Sequence, residues 1–192
     1  MICRAASCGL AAVMLLAGTA TALTASARDC ARTLTALPAT DVYFSPWDDA
    51  QQQLLKVLDE ACAQIRVQAF LLTSRDIAAA LTAAHRRGVD VQLLADARQH
   101  DGNPASLLAK LRQVGIPVWL ENRYRNAHNK VIVVDAYSPA PVVVTGSYNF
   151  TWGAQHLNAE NLLIIRGQPA IAERYAANWE RHRADAAPLA VH

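Results

Sequence analysis

The apolar positions of residues 42–120 alternate between two periods. Short runs rich in Val, Ile and Leu are typical of buried β-strands, and they occupy residues 42–44, 65–72, 89–95 and 116–120. Between these runs, apolar residues recur every three or four positions, as on one face of an amphipathic helix. The predicted helices begin at Ser45, Ser74 and Asn103, residue types favoured at a helix start. Three alternations of strand and helix indicate βαβ units with parallel strands.

The pattern changes after residue 128. Two apolar runs, 129–135 and 141–145, are separated only by residues 136–140, which is too short for a crossover helix. These two strands are therefore expected to be antiparallel. A last strand is predicted over 161–166 and an amphipathic helix over 169–183. The sequence thus predicts one α/β domain with a single mixed, mostly parallel β-sheet flanked by helices.

The N-terminal segment has the three regions of a secretory signal peptide. One charged residue, Arg4, precedes an uncharged stretch that includes the apolar residues 10–17, and Ala25-Ser26-Ala27 provides the small residues that signal peptidase reads. An uncleaved anchor is the alternative, since about 20 uncharged residues can span a bilayer. The many Ala, Thr, Ser and Gly residues make this stretch a poor anchor, so cleavage is favoured.

The chain is accordingly divided into four segments. They are a signal peptide (1–27), an N-terminal extension (28–40), a folded domain (41–183) and a loose C-terminal tail (184–192). The protein is expected to be periplasmic or secreted, without stable membrane insertion after cleavage.

Charge and cysteine content add limited information. The chain has 18 basic and 16 acidic residues, and removing the segment that carries Arg4 lowers the formal net charge from +2 to about +1. This balance does not indicate a nucleic-acid-binding protein, although a local basic patch can replace net charge. Cleavage also leaves two cysteines, Cys30 and Cys62, which can form a disulfide in an oxidising compartment. The alternative is a buried Cys62 and a free Cys30 thiol. The cysteines show no spacing typical of zinc ligands.

The first candidate for chemistry lies where the pattern changes. His128 and Lys130 are two residues apart in a predicted strand, so their side chains share a face. A neutral imidazole beside an ammonium suits a nucleophile with a phosphate clamp. Asp135 has the opposite parity, and we interpret it as a structural anchor for the turn after the strand. A histidine at a strand edge, taken alone, is more often a surface residue without a role.

Two further polar segments follow. Gly146 permits a tight turn, and Ser147 and Asn149 can donate hydrogen bonds to anionic oxygens. Glu160 places a carboxylate at the start of the last strand. Taken singly, Gly-Ser-x-Asn is a commonplace turn and Glu160 a solvated surface charge. Only their order after His128 and Lys130 makes them informative.

Together these segments, HNKVIVVD, GSYNF and AEN, resemble the signature of the phospholipase D superfamily. That signature is His-x-Lys, four residues, then Asp, followed downstream by Gly-Ser-x-Asn and an acidic residue. The resemblance extends over at least residues 42–183. With one copy of the motif and a signal peptide, the chain is most similar to the small bacterial endonuclease branch.

The resemblance implies a role for each matching residue. His128 would form a covalent phosphohistidine, and Glu160 would fix the tautomer of an imidazole. The residues that would bind the non-bridging oxygens are Lys130, Ser147 and Asn149. Asp135 would be structural. Cationic and hydrogen-bonding side chains then stabilise the charge, so no metal or other cofactor is expected.

A single motif leaves the chemistry one histidine short. Cleavage needs a nucleophile and an acid for the leaving oxygen, and only His128 stands in a His-x-Lys context. A symmetric homodimer with a shared active site would supply a second His128. His156, four residues before Glu160, is the internal rival, although a surface or dimer-contact position suits it better.

The substrate is predicted from the segment before His128. Arg123, Tyr124 and Arg125 form a small basic patch with one aromatic ring, which is consistent with contacts to a nucleic-acid backbone. Solvated loop arginines are the alternative. The sequence shows no evident lipid-inserting apolar loop. It therefore favours a metal-independent endonuclease of DNA or RNA. The alternatives are a phospholipase D that acts on phospholipid headgroups with the same residues and a non-catalytic dimeric nucleic-acid-binding module, against which the intact motif argues.

Overall fold

A computed structural model describes residues 38–190, which form one sheet with helices on both faces. The strands are β1 (Ala39–Ser45), β2 (Gln64–Ala69), β3 (Asp90–Asp96), β4 (Val118–Glu121), β5 (Lys130–Val134), β6 (Val142–Gly146), β7 (Glu160–Arg166) and β8 (Ala187–Pro188). The helices are α1 (Ala50–Glu60), α2 (Arg75–Arg86), α3 (Ala97–Asp101), α4 (Leu108–Gln113), α5 (Trp152–His156) and α6 (Pro169–Asp185).

The eight strands lie in the order β1-β7-β6-β5-β2-β3-β4-β8. A single mixed sheet flanked by helices is thereby confirmed, but the expectation of a mostly parallel sheet is wrong. Only β2–β3 and β3–β4 are parallel pairs, and the other neighbours are antiparallel. The physical reason lies in the connections. Parallel neighbours need a crossover, which the chain provides between β2 and β4. In contrast, a short turn joins β5 to β6, and the connection that contains α5 returns the chain from β6 to an antiparallel β7.

Both faces of the central strands are covered, which accounts for their nearly uninterrupted apolar runs. Ile65 and Val67 of β2 pack with α1 and α2 in the larger core. On the other face, Val131 and Val133 of β5 pack against α6 in a smaller cluster. Trp179 of α6 is buried there and donates a hydrogen bond from Nε1 to the β2 backbone. The central strands are thus held rigidly between two helical layers.

Helix starts were predicted with mixed success. Ser74 caps α2 as expected, since its hydroxyl accepts a hydrogen bond from the N–H of Ile77. Ser45, however, does not cap α1, which begins at Ala50 with Asp49 as its cap. Ser45 pairs with β7 as the last residue of β1, and that pairing extends the strand past the predicted cap. The helix predicted from residue 103 begins only at residue 108.

The C-terminal segment is also ordered by pairing. Residues 184–190 are not the loose tail that the sequence predicted, because α6 continues to Asp185 and Ala187–Pro188 forms β8 on β4. The N–H of Leu189 donates to the carbonyl of Val118 at 2.8 Å, and the Leu189 side chain packs on the larger core. Edge pairing therefore orders a segment whose own sequence has little strand character.

The predicted signal peptide and Cys30 lie outside the described residues. Cys62 is disulfide-bonded, and its pairing with Cys30 stays a prediction. In the described part of the chain, none of the helices has the length and apolar character needed to cross a membrane.

Candidate active site

One edge of the sheet collects the candidate residues, and we call it the site edge. Strands that pair in parallel end at the same edge of a sheet, and antiparallel neighbours begin there. The site edge therefore contains the carboxyl ends of β1, β2, β3, β4 and β6 and the amino ends of β5 and β7. The register places Lys130 opposite Ala69 and Glu160 opposite Ser45. Antiparallel pairing thus gathers four segments that are distant in sequence.

Lys130 and His128 are in direct contact at the start of β5. The Lys130 Nζ lies 3.0 Å from Nδ1 of His128 and donates to the His128 carbonyl oxygen at 2.8 Å. Lys130 is buried, whereas His128 is exposed. Burial lowers the pKa of the Lys130 ammonium, and the negative charge of Glu160 partly opposes this effect. The site therefore holds a partly desolvated cation beside an imidazole that a large substrate can reach.

Phe70 completes the surroundings of this pair. Its ring centroid lies 4.3 Å from that of the His128 imidazole, and the Lys130 Nζ lies 4.7 Å from the Phe70 centroid. A cation over an aromatic face is attracted by the ring quadrupole. Sequence reasoning missed Phe70, because its proximity to His128 depends on the pairing of β2 with β5. A bulky ring directly after a predicted strand was the only available signal.

The hydrogen bond from Lys130 determines the resting tautomer of His128. An ammonium can only donate, so Nδ1 is the acceptor, and in a neutral imidazole the proton then lies on Nε2. Within residues 38–190, Nε2 has no hydrogen-bond partner. For Nε2 to act as a nucleophile, the proton must move to Nδ1, which requires Lys130 to leave that atom. A substrate phosphoryl oxygen is a stronger acceptor for the ammonium than Nδ1.

The turn after β6 presents Ser147. Gly146 has φ 144°, and a Cβ there would lie 2.3 Å from the carbonyl oxygen of Asn161, so only glycine fits. The N–H of Asn161 donates to Ser147 Oγ at 3.0 Å. Because the hydroxyl oxygen is held as an acceptor, its proton remains available to an anionic ligand. Ser147 is exposed at this position.

Asn149 and Glu160 flank the same turn. The Oδ1 atom of Asn149 is buried and has no hydrogen-bond partner in the described part of the chain, and the amide Nδ2 is the atom by which this side chain can donate to an anion. Glu160 accepts a hydrogen bond from Asn158 at 3.0 Å, and its charge acts on Lys130. Among the described residues, no hydrogen bond joins Glu160 to His128. Glu160 therefore does not contact the imidazole of its own chain, and its role in fixing an imidazole tautomer stays a prediction.

Asp135 lies at the opposite edge of the sheet. It has φ 49°, a conformation that Asp tolerates better than most residues. Its carboxylate accepts hydrogen bonds from the N–H groups of Cys62, Ala63 and Gln64 at 2.9, 2.7 and 2.8 Å. These bonds tie the end of β5 to the start of β2. The position and partners of Asp135 are those of a structural anchor.

The loop between β4 and β5 carries the three residues predicted to contact nucleic acid, and their surroundings differ. Arg123 forms an ion pair with Asp185 of α6. The Tyr124 ring lies 5.3 Å from the ring of His182, also on α6. Arg125 is exposed and has no ion pair in the described part of the chain. Arg123 and Tyr124 remain 64 % and 41 % exposed beside α6, and Arg125 is the member of this trio without a contact to that helix among the described residues.

A buried acid–histidine pair supports that loop, and sequence reasoning missed it. Glu121 Oε1 lies 2.5 Å from His182 Nδ1, with the Glu121 side chain only 3 % exposed. Burial raises the pKa of Glu121, and the hydrogen bond from His182 opposes the increase. The two residues are 61 positions apart, so only the docking of α6 onto β4 brings them together.

Exposed apolar side chains border the site edge on the β1–β7 side. Phe44, Trp47, Trp152 and Leu157 are 51 %, 81 %, 58 % and 73 % exposed, and we call them the aromatic rim. They come from β1, from the turn after it, from α5 and from the residue after α5, so they do not form one apolar loop in the sequence. His156 is stacked on Trp152 with ring centroids 4.5 Å apart and is exposed, without a contact to the His128 group.

The described residues contain no group of three or more His, Cys, Asp and Glu side chains that could hold a metal ion.

The family model described as "Cardiolipin synthase, PLD-like domain" matches residues 54–183, which is more than half of the chain. The chain belongs to the phospholipase D superfamily. The resemblance inferred from the motifs is thereby confirmed, and the superfamily includes phosphodiester hydrolases.

Individual superfamily relatives agree with this assignment. A phospholipase D of Rickettsia typhi is 36 % identical over 141 residues, which cover 73 % of this chain and 66 % of that protein. A mitochondrial cardiolipin hydrolase of Xenopus laevis is 34 % identical over 145 residues, covering 76 % and 63 %. The crystal structure of Nuc, a phospholipase D family member from Salmonella typhimurium, has a TM-score of 0.74 and 34 % identity, covering 80 % of this chain and 99 % of that one. The chain thus spans about two thirds of the length of its two sequence relatives.

Proposed function

We propose that this protein is an exported, metal-independent phosphodiesterase that hydrolyses nucleic acid through a phosphohistidine on His128. The observation that carries the proposal is the contact between Lys130 and an exposed His128 at the site edge, where Ser147 and Asn149 follow the neighbouring strand. An imidazole, a partly desolvated cation and two neutral donors suffice to bind and attack a phosphodiester.

The first step forms the covalent intermediate. The substrate phosphoryl oxygens accept hydrogen bonds from Ser147, from Asn149 and from the Lys130 ammonium, which leaves Nδ1 of His128. Nε2 of His128 then attacks phosphorus with its lone pair, and the bond from phosphorus to the leaving oxygen breaks. The leaving oxygen takes a proton from the imidazolium of His128 of the partner subunit.

The second step regenerates the enzyme. Water attacks the phosphorus of the phosphohistidine, and its proton passes to the imidazole that became neutral in the first step. The N–P bond breaks, which releases a phosphomonoester and restores both histidines. The two roles of acid and base require two imidazoles, so the proposal includes a homodimer with a shared site. Glu160, which has no bond to His128 in its own chain, is proposed to orient an imidazole in that assembly.

Nucleic acid is the substrate that the site surface favours. His128 and Ser147 are both exposed, so a long backbone can lie across the site edge without entering a closed pocket. Arg125, exposed and without an ion pair among residues 38–190, stands three residues before His128 and can contact a neighbouring phosphate. These features suit the interior of a polymer better than the end of a small metabolite.

A phospholipid is the second candidate. The names of two relatives, a phospholipase D and a mitochondrial cardiolipin hydrolase, favour it. The same residues would attack the headgroup phosphodiester in the same two steps. A nucleic acid and a phospholipid differ in the groups on either side of the phosphate, so they differ in the contacts they would make with residues beside the site.

One experiment separates these functions. Purified mature protein is incubated with plasmid DNA, single-stranded RNA, phosphatidylcholine vesicles and cardiolipin vesicles, all in excess EDTA, beside a His128→Asn control. We expect wild-type protein alone to cleave nucleic acid, with a phosphorylated His128 trapped at early times. Headgroup release without nucleic-acid cleavage would transfer the proposal to the phospholipid. Binding without any cleavage would leave the non-catalytic module, and activity restored only by added metal would contradict the mechanism.

Export is the remaining part of the proposal. It rests on residues 1–27, whose charge and apolar pattern are those of a signal peptide. N-terminal sequencing of protein recovered from the periplasm or medium should begin near Arg28. Recovery of the full-length chain from the membrane fraction would instead show an anchor.

A further inference from the structure

The backbone that carries His128 lies outside the strands. β5 begins at Lys130, so His128 belongs to the connection from β4. Among the described residues, the backbone of residues 123–128 forms hydrogen bonds with two side chains and with no other backbone group. One is Lys130, whose Nζ binds the His128 carbonyl oxygen, and the other is Asp96, whose Oδ2 accepts from the N–H of Ala127 at 2.7 Å. On the amino-terminal side of His128, the backbone is therefore held by Asp96 and not by strand pairing.

Asp96 is itself firmly held. It is the last residue of β3, it is buried, and the register pairs it with Glu121, the last residue of β4. Its Oδ1 atom accepts from the N–H of Gln99 at 2.9 Å and caps α3. The carboxylate is thus fixed between a strand, a helix and the connection that leads to His128. A hydrogen bond from an N–H to a charged oxygen is also stronger than one between neutral groups.

Capping alone does not account for a carboxylate at this position. A cap needs one acceptor oxygen, and the hydroxyls of Ser74 and Thr151 cap α2 and α5. A buried charge is costly here, because burial and the charge of Asp96 both raise the pKa of the neighbouring Glu121. A hydroxyl would cap α3 without that cost. The second oxygen of the carboxylate has one partner among the described residues, the N–H of Ala127.

The imidazole is also held from the β2 and β5 side. The N–H of Phe70 donates to the carbonyl of Asn129 at 2.9 Å, and the Phe70 ring packs on the imidazole. Nζ of Lys130 lies 3.0 Å from Nδ1 of His128. A shift of the backbone at Ala127 would therefore move the imidazole relative to both Phe70 and Lys130.

We propose that Asp96 is a positioning residue for His128: its carboxylate fixes the backbone at Ala127 and thereby the place of the imidazole relative to Lys130 and a bound phosphate. The proposal rests on the proposed phosphohistidine mechanism, in which Nε2 must lie in line with the leaving oxygen. Asp96 acts through the backbone and contacts no reacting atom. A nucleophile misplaced by about 1 Å can react about 10²-fold more slowly.

Two changes remove the bond between Asp96 and Ala127 in different ways. Asp96→Ser keeps an oxygen that can cap α3 and removes the acceptor for the N–H of Ala127. Replacing Ala127 by L-lactic acid, through nonsense suppression, substitutes an ester for the amide and removes only the N–H. Asp135→Ser is the matched control, because Asp135 is also a buried carboxylate that accepts from backbone N–H groups, at the opposite edge of the sheet. Thermal melting gives the folded fraction of each protein.

The kinetic readout is hydrolysis of bis(p-nitrophenyl) phosphate, a small phosphodiester that is neither nucleic acid nor lipid. For Asp96→Ser and the ester variant, we expect kcat about 100-fold below wild type and KM within about threefold, because the groups that bind the phosphate stay in place. The folded fraction of Asp135→Ser should keep a kcat near wild type. If Asp96→Ser does not fold, the ester variant decides.

Two kinetic results would overturn the proposal. One is a kcat in the folded variants that matches the Asp135→Ser control. The other is a rise in KM at unchanged kcat, which would make Asp96 part of phosphate binding instead.

A second readout does not depend on hydrolysis. In protein with isotope-labelled histidine at about pH 8.5, where imidazoles are neutral, NMR distinguishes the two tautomers by the shifts of the ring nitrogens. The spectrum of His128→Asn identifies the His128 signals. Wild type and Asp135→Ser should show the tautomer protonated on Nε2, which the Lys130 contact imposes, and the two variants that lack the Asp96 bond should show a mixture. An unchanged tautomer in those variants would refute the positioning role even if kcat fell.

The two readouts let the proposals fail separately. A wild-type protein that hydrolyses no phosphodiester would overturn the proposed function, while the imidazole signals would still show whether Asp96 positions His128. Hydrolysis that is insensitive to loss of the bond between Asp96 and Ala127 would keep the proposed function and overturn the role of Asp96.

Discussion

The ammonium of Lys130 lies 3.0 Å from Nδ1 of His128 while it also binds the His128 backbone carbonyl oxygen. The lysine therefore holds the imidazole in the tautomer whose Nε2 carries the proton. A phosphodiester that binds Lys130 releases Nδ1 and allows the proton to move there, so substrate binding and activation of the nucleophile are coupled. Lys130 therefore determines the tautomer of His128 in addition to binding the phosphate.

Removing either member of this pair should abolish or nearly abolish turnover. We expect His128→Asn to eliminate hydrolysis and the phosphoenzyme while the melting curve stays like that of wild type. Lys130→Ala should lower kcat/KM by about 10³-fold, because a charged donor to the transition state is lost. His156→Asn, an exposed histidine outside the His128 group, is the control and should stay within about twofold. Activity of His128→Asn within tenfold of wild type would refute the assignment.

The pH dependence should reflect the burial of Lys130. Because burial lowers its pKa, this ammonium loses its proton below the ordinary lysine value of 10.5. The clamp needs the charged form, so kcat/KM should fall on the alkaline side at a lower pH than an ordinary lysine would give. Glu160→Gln removes the negative charge that raises the pKa of Lys130, so the alkaline limb of the pH profile, where kcat/KM falls, should move to still lower pH. A limb that stays in place or moves upward in Glu160→Gln would contradict this coupling.

Asp135 should matter for stability and hardly for chemistry. Asp135→Ala leaves three backbone N–H groups without their acceptor and should cost about 3 kcal/mol of unfolding free energy. Asp135→Asn keeps one acceptor oxygen and tolerates the positive φ, so it should cost clearly less. Urea unfolding measures both, and the kcat of the folded fraction should remain near wild type. A large loss of kcat at full folding would place Asp135 in the reaction.

A shared site should respond strongly to mixed subunits. Heterodimers of wild-type and His128→Asn chains contain one of the two required imidazoles, so their activity should be far below half that of wild type. Tagged subunits, co-purified after exchange, allow this measurement, and activity should also fall on dilution below the dimer dissociation constant. Half activity in the heterodimer would show that each chain is self-sufficient, with His156 as the next candidate for the acid.

Local signals in the sequence predicted the elements around the site well. The apolar runs located the central strands, and Ser74 was correctly identified as a helix cap, because these features depend on a few neighbouring residues. The expectation that the side chains of His128 and Lys130 lie together agrees with their contact at the start of β5. Since β5 spans Lys130–Val134, His128 and Asp135 both lie outside the strand, and the face assigned to Asp135 by parity stays a prediction. The motif order then indicated the superfamily, which needs no knowledge of the fold.

Local signals failed where a distant segment decided the outcome. Ser45 looked like a helix cap, but pairing with β7 kept it in a strand. Residues 187–188 looked loose, but the free edge of β4 ordered them as β8. The proportion of parallel strands was overestimated, since neither the order of the strands nor the place of β1 beside β7 can be derived from helix and strand periods.

By itself, the sequence determined the composition of the candidate site: an imidazole, an ammonium, two neutral donors and a carboxylate, at spacings that strands impose. The tertiary structure alone decided their surroundings. It placed Phe70 against His128, joined Glu121 to His182, brought Arg123 and Tyr124 into contact with α6 and fastened the turn that carries Trp47 to α5. Those relationships depend on strand pairing and helix docking between segments far apart in the chain, where hydrophobic burial over many residues outweighs any local preference.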